Sequence, residues 1–131
     1  MNSDALTNQA ADREERRMDA WFRFLYAIIW PFFHLIRRVR LVGRENIPEG
    51  AAVICPNHTT IGDPFYVVFG FGRKYPMRAM AKIQIMQVPV IGFLLGKAGV
   101  FGVDRGHADM KAVKTALRFL KNGDKLLMFP E

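Results

Sequence analysis

With 131 residues, half of them hydrophobic, the chain suits one domain around one core and is too apolar for a disordered polypeptide. A formal net charge of +7 favours anionic partners: nucleic acid, phospholipid headgroups or phosphorylated substrates. One cysteine excludes an internal disulfide, and three scattered histidines beside it give no zinc-ligand spacing.

Residues 1–16 read as a disordered N-terminus, small and polar at first, then charged at Arg13-Glu14-Glu15-Arg16. This is not the short basic opening of a secretory signal peptide. Residues 17–38 read as a helical, membrane-associating segment. Between Trp21 and Ile36 only Arg23 and His34 are strongly polar. The uninterrupted apolar part, Phe24 to Phe33, is shorter than the roughly 20 residues a helix needs to cross a bilayer. Pro31 is expected to kink that helix or end its first half. Arg37, Arg38, Arg40 and Arg44 follow. An aromatic-rich helix with Arg at both ends suits the membrane interface, where rings sit at headgroup level and Arg meets anionic lipid. A helix docked on the core is the alternative.

From residue 39 strands and helices alternate. Val39–Val42 and Ala51–Cys55 read as strands, with Pro48-Glu49-Gly50 as the turn between them. A helix is expected to start at Asp63-Pro64 and run to about Phe69, followed by a strand over Met77–Lys82. Val88–Leu95 reads as a helix opened by Pro89, and Gly99–Val103 as a strand. In the helix Ala108–Lys121, Val113, Ala116, Leu117 and Leu120 recur at helical spacing, and Asn122-Gly123-Asp124 stops it. A strand over Lys125–Phe129 ends the pattern. Such alternation predicts an α/β fold, a largely parallel sheet flanked by helices, behind an N-terminal aromatic-rich membrane-interface helix. The domain over residues 39–131 is expected to be C-terminally incomplete, because nothing follows the last strand to cover its edge.

The chemistry concentrates in Asn57-His58-Thr59-Thr60-Ile61-Gly62-Asp63-Pro64. A His takes a proton from an alcohol near neutral pH, and a carboxylate holds its imidazole in one tautomer. Five residues on a regular helix would place the side chains about 140° apart, so His58 and Asp63 meet only if His58 lies in the loop before the helix. Asp63 also reads as an ordinary N-cap ahead of Pro64, and His58 as a loop residue bonded to backbone. Cys55 is either a thiol nucleophile or an inward strand residue, and the inward reading is preferred. Arg105 ends a strand, where α/β sheets place ligands and Arg forks onto phosphate; a local pair with Asp104 is the alternative. Lys111, Lys114, Arg118 and Lys121 read as a solvated helix face, and His34 and His107 show no partner by spacing.

NHTTIGDP resembles the first motif, N-H-x-x-x-x-D, of the lysophospholipid acyltransferases, the group that includes bacterial 1-acyl-glycerol-3-phosphate acyltransferases. GVFGVDR resembles the second motif, and FPE the opening of the third, F-P-E-G-T-R-S. The order, the spacing and the preceding GRENIPEG stretch also fit, over roughly Ala20 to the end. The resemblance implies a glycerol-phosphate acyltransferase-like fold with His58 as general base and Asp63 orienting it. Arg105 would bind the acceptor's phosphate, Glu131 would shape the acceptor site, and Lys82 would add charge. The implied reaction moves a fatty acyl group from a thioester, of coenzyme A or acyl carrier protein, to a lysophospholipid hydroxyl, making phosphatidate. No metal or cofactor is implied. The setting would be the cytoplasmic face of the cell membrane, peripheral or monotopic, with anionic lipid as a partner. The third motif stops after its Glu, so the chain by itself is expected to have little or no activity.

Two other classes stay open. A catalytically inactive membrane-binding fragment would bind vesicles without transfer. A basic nucleic-acid-binding module fits the charge, but the basic residues are spread along the chain and no nucleic-acid motif is present, so nucleic acid is not expected as a partner.

Overall fold

A computed structural model describes residues 2–130. Helix α1 runs over Asn2–Ile36 without a break, so it crosses the expected boundary at residue 16 and takes in the segment expected to be disordered. It also continues through Pro31. A proline removes one helical hydrogen bond at a cost of about 3 kcal/mol. Here the turn beyond it is held by tertiary contacts: the ring of Phe33 lies 4.8 Å from that of Phe69 and 5.1 Å from that of Tyr66. Among the described residues no helix is long and apolar enough to cross a membrane.

Residues 39–42 form no strand. Val39 and Leu41 instead lie against Gly70 of α2 (Asp63–Phe71), so their alternating pattern records packing on a helix rather than sheet pairing. The remaining elements are β1 (Ala52–Ile54), β2 (Met77–Lys82), the one-turn helix α3 (Ile83–Met86), α4 (Pro89–Lys97), β3 (Val100–Val103), α5 (Met110–Lys121) and β4 (Lys125–Leu127). The sheet is parallel throughout and ordered β1-β4-β2-β3. Ala52 pairs with Lys125, Met77 with Lys125, and Ala79 with Val100. The last strand therefore sits inside the sheet, and all three of its residues are buried.

Phe22 of α1, Met77, Ala98, Leu127 and Phe129 form the core cluster, with Val67, Val68 and Phe71 of α2 packed on it. Side chains alternate along β2, so Arg78 points to the face opposite Met77, the α5 side, with its guanidinium carbon 5.4 Å from the Phe119 ring centre. Helix α5 buries Ala112, Ala116 and Phe119, while Val113 and Leu117 stay 45% and 51% exposed. The buried face is thus one step round from the stripe the spacing picked out. Its N-cap is Asp109, whose carboxylate accepts from the N–H groups of Lys111 and Ala112.

At the N-terminal end of the sheet the fully buried Arg78 ties three segments together. Its Nη2 lies 2.7 Å from Asp19 of α1, and its Nε 3.2 Å from Asp124 before β4. Gly99, at φ +90°, lets the chain pass the Arg78 stem where a Cβ would collide with it.

Candidate active site

A parallel sheet gathers the C-terminal ends of its strands on one edge, and that edge carries the loops. After Ile54 the chain leaves β1 through residues 55–62 and enters α2 at Asp63. The segment beyond β4 is pinned alongside, because Met128 N–H donates to the Ile54 carbonyl at 3.0 Å. His58 and Asp63 meet across the loop, Nδ1 to Oδ2 at 3.3 Å, as the loop-plus-helix geometry requires.

Asp63 does not act as a plain helix cap. The N-cap is Gly62, and the Asp63 carboxylate turns back into the loop. Its Oδ2 accepts the N–H of Thr59 at 2.5 Å and of Thr60 at 2.7 Å, while Oδ1 accepts the Thr60 hydroxyl at 2.8 Å. These donors, led by Thr60, hold its carboxyl well below the usual carboxylate range. The two short backbone bonds also anchor Oδ2, which leaves the imidazole at the long end of hydrogen-bond distance. An ionised carboxylate only accepts, so the bond to His58 assigns the imidazole proton to Nδ1 and leaves a lone pair on Nε2. The His58 side chain is 33% exposed, enough to be reached by a substrate. One face of its ring is covered by Phe129, with ring centres 4.4 Å apart and 34° between planes.

The other expected site residues share this edge without joining the dyad. Lys82 is the exposed last residue of β2. Arg105 is exposed in the turn after β3. Strands β1 and β3 are the outer pair, three spacings or about 14 Å apart. Glu131 lies outside the described residues. The strand order thus lays His58, Phe129, Lys82 and Arg105 in a row from one side of the edge to the other.

Three further findings revise the sequence reading. Cys55 is exposed, not inward, because β1 is an outer strand whose Val53 is also 47% exposed. His107 has a neighbour after all, with its Nδ1 3.6 Å from Asp104. His34 stacks on Trp30 with centres 4.8 Å apart. Sequence reasoning also missed Phe129 as the wall of the imidazole and Thr59-Thr60 as the donors to Asp63. The threonines carried a local signal, two N–H groups and two hydroxyls between His and Asp; Phe129 was marked only by the FPE stretch, which says nothing of contact with the imidazole. Among the described residues no group of three His, Cys, Asp or Glu converges as a metal-ligand set.

The model of the Acyltransferase family matches residues 38–131. A 1-acyl-sn-glycerol-3-phosphate acyltransferase of Bacillus subtilis (strain 168) is 32% identical over 94 residues, covering 70% of this chain and 46% of the relative. Proteins of the same name are 29% identical in Pseudomonas aeruginosa, over 72% of this chain and 37% of the relative, and 28% identical in Saccharomyces cerevisiae, over 76% and 35%. The chain spans less than half the length of these relatives. No solved structure matches it.

Proposed function

The chain belongs to the acyltransferase family, and from that premise we propose that it moves a fatty acyl group from a thioester to the free hydroxyl of a 1-acyl-glycerol-3-phosphate, making phosphatidate. The observation that carries this reading is the His58 imidazole, which has its Nδ1 proton engaged by Asp63 and its Nε2 open. His58 Nε2 takes the acceptor's hydroxyl proton as the oxygen attacks the thioester carbonyl carbon. The C–S bond breaks as the tetrahedral intermediate collapses, and the proton passes from Nε2 to the departing thiolate of coenzyme A or acyl carrier protein. Asp63, held ionised by Thr59 and Thr60, stabilises the imidazolium in between. Arg105 receives the acceptor's phosphate by reaching inward across the edge. Lys82, one strand nearer the dyad, adds positive charge, and Glu131 shapes the same site.

This reading places the protein on the cytoplasmic face of the cell membrane. Support comes from α1, whose Phe24, Ile28, Phe32 and Leu35 are 53%, 48%, 69% and 87% exposed at helical spacing. Beside them Lys97 Nζ lies 4.6 Å from the centre of the Trp21 ring, a cation and an indole together as at headgroup level. A membrane-binding protein without transfer activity is the second reading, favoured by that same stripe.

The test is a steady-state assay with lysophosphatidate and an acyl thioester, on a version of the protein that carries the third motif in full. His58→Ala is expected to lower kcat by at least 10²-fold, the scale of a general base, and Asp63→Asn by less, with acceptor KM little changed. Turnover by His58→Ala near the wild-type rate would refute the mechanism. Vesicle binding with no transfer by the wild type would select the second reading.

A further inference from the structure

Away from the dyad, the second half of α1, the segment after it and the C-terminal end of α2 enclose an open cleft of about 550 Å³. Its lining combines an aromatic wall with a cationic rim. Trp30 and His34 stack at 12° between planes, and Phe69 packs on Tyr26 with ring centres 5.1 Å apart. Arg40, Arg44 and Arg73 line the same cleft, and none of its lining residues is acidic.

The three arginines differ in what already holds them. Arg44 Nη2 donates to the Phe71 carbonyl at 2.8 Å, closing the end of α2. Gly72, at φ +89°, makes room for that guanidinium, because a Cβ there would collide with it. Arg40 and Arg73 are exposed, and among the described residues neither has an ion-pair or hydrogen-bond partner. Two free guanidiniums over an aromatic floor, with no carboxylate in the lining, match a group that is anionic at one end and apolar at the other. Exposed Ile36 and Val42, 75% and 84% accessible, flank the same segment and extend the apolar surface beyond it.

We propose that this cleft binds a phosphate-bearing amphiphile, with the phosphate on Arg40 and Arg73 and the apolar part against Trp30 and Phe69. The site is separate from the dyad. Asp63 opens α2 and the cleft lies at its other end, nine residues or about 13 Å away. The inference goes beyond acyl transfer and stands whether or not the dyad is active. Guanidinium forks suit phosphate oxygens, and the rings accept whatever hydrocarbon is attached.

Two indoles make the test internal. Trp30 lines the cleft, and Trp21 lies nine residues earlier on α1, beside Lys97. Indole N–H resonances are followed by NMR while the chain is titrated with monomeric dihexanoyl phosphatidate, inorganic phosphate or dihexanoylglycerol. The phosphatidate is expected to shift Trp30 saturably and leave Trp21 in place, and dihexanoylglycerol to shift neither. Arg40→Gln and Arg73→Gln are each expected to weaken binding about tenfold or more, the scale of a lost charged hydrogen bond. Arg16→Gln, on the other half of α1, is expected to change nothing. Phosphatidate binding with a weaker response or none to inorganic phosphate identifies a lipid headgroup as the source; equal affinity for the two would show a free-phosphate site and overturn the amphiphile. No Trp30 shift with either phosphate, an equal shift with dihexanoylglycerol, or unchanged affinity in both Arg variants would overturn the proposal. The substituted arginines are exposed, so the fold is retained in every arm.

Discussion

Replacing Arg78 by Met removes a buried cation while keeping most of its unbranched stem. The guanidinium is fully buried and holds Asp19 and Asp124, whose side chains are 33% and 14% exposed. A hydrogen bond to a charged group contributes about 1.5–3 kcal/mol, and orphaning buried partners of an ion pair costs about 3–5 kcal/mol. Asp19 regains much of its hydration, so the loss falls mainly on Asp124. The cation over Phe119 adds about 0.5–1 kcal/mol to what is lost. In the other direction, Arg78 Nη1 is buried without a partner, and Met relieves that cost. The balance is a destabilisation of about 3 kcal/mol, a large part of the roughly 7–20 kcal/mol expected for a chain this long. Urea unfolding followed by circular dichroism reads it directly. With a slope near 1.5 kcal/mol/M, the midpoint falls by about 2 M. Asp124→Asn is expected to cost more than Asp19→Asn, following their burial. A loss below about 1 kcal/mol for Arg78→Met, or the reverse order for the two aspartates, would show that Arg78 does not join α1 to the sheet.

Glu15 adds a pH dependence to the same corner. Burial, and then the neighbouring Asp124 carboxyl, push its pKa from 4.5 up to about 6. A raised carboxyl favours the folded state while protonated, so this stabilisation is complete below pH 4.5 and is lost as pH rises through about 6. Glu15→Gln is expected to flatten the stability profile across that window, by at most about 1 kcal/mol given solvent screening; an unchanged profile refutes the coupling. Phe129→Leu is expected to lower kcat about tenfold with KM for both substrates within twofold, and Phe129→Tyr to restore most of it; equal kcat in all three would deny the ring a positioning role. Making Phe24 and Ile28 polar is expected to reduce co-sedimentation with anionic vesicles more than raising salt does, because apolar burial carries much of the binding. Equal vesicle binding by that variant and the wild type would move the membrane contact elsewhere.

The parts of this molecule legible in its sequence are those set by neighbours in the chain. Asp63-Pro64 marked the start of α2, Pro89 the start of α4, and the glycine after Asn122 the end of α5. The dyad was legible for the same reason, since five residues and one loop contain it. Alternation misled at residues 39–42, where Val39 and Leu41 face a helix, because a period of two does not say what the apolar side meets. It misled again at Cys55, whose exposure depends on β1 being an outer strand. Helical periodicity located α5 but not its buried face. Small Ala112 and Ala116 allow close approach to the sheet, and larger Val113 and Leu117 are left outside.

What no local pattern could give is the order of the strands, and the site depends on it. Placing β4 between β1 and β2 joins residues 52–54 to residues 125–127, more than seventy positions away. The bond from Met128 to Ile54 then carries Phe129 under the imidazole. The dyad therefore has two layers of different origin. The His58–Asp63 bond and its threonine donors close within one loop and need only α2 to be in place. The wall behind the imidazole arrives with β4, whose Leu127 is fully buried in the core. The imidazole is thus held in its tautomer by local chemistry and in its orientation by the global fold. Damage to β4 is expected to loosen the imidazole before it disturbs the carboxylate.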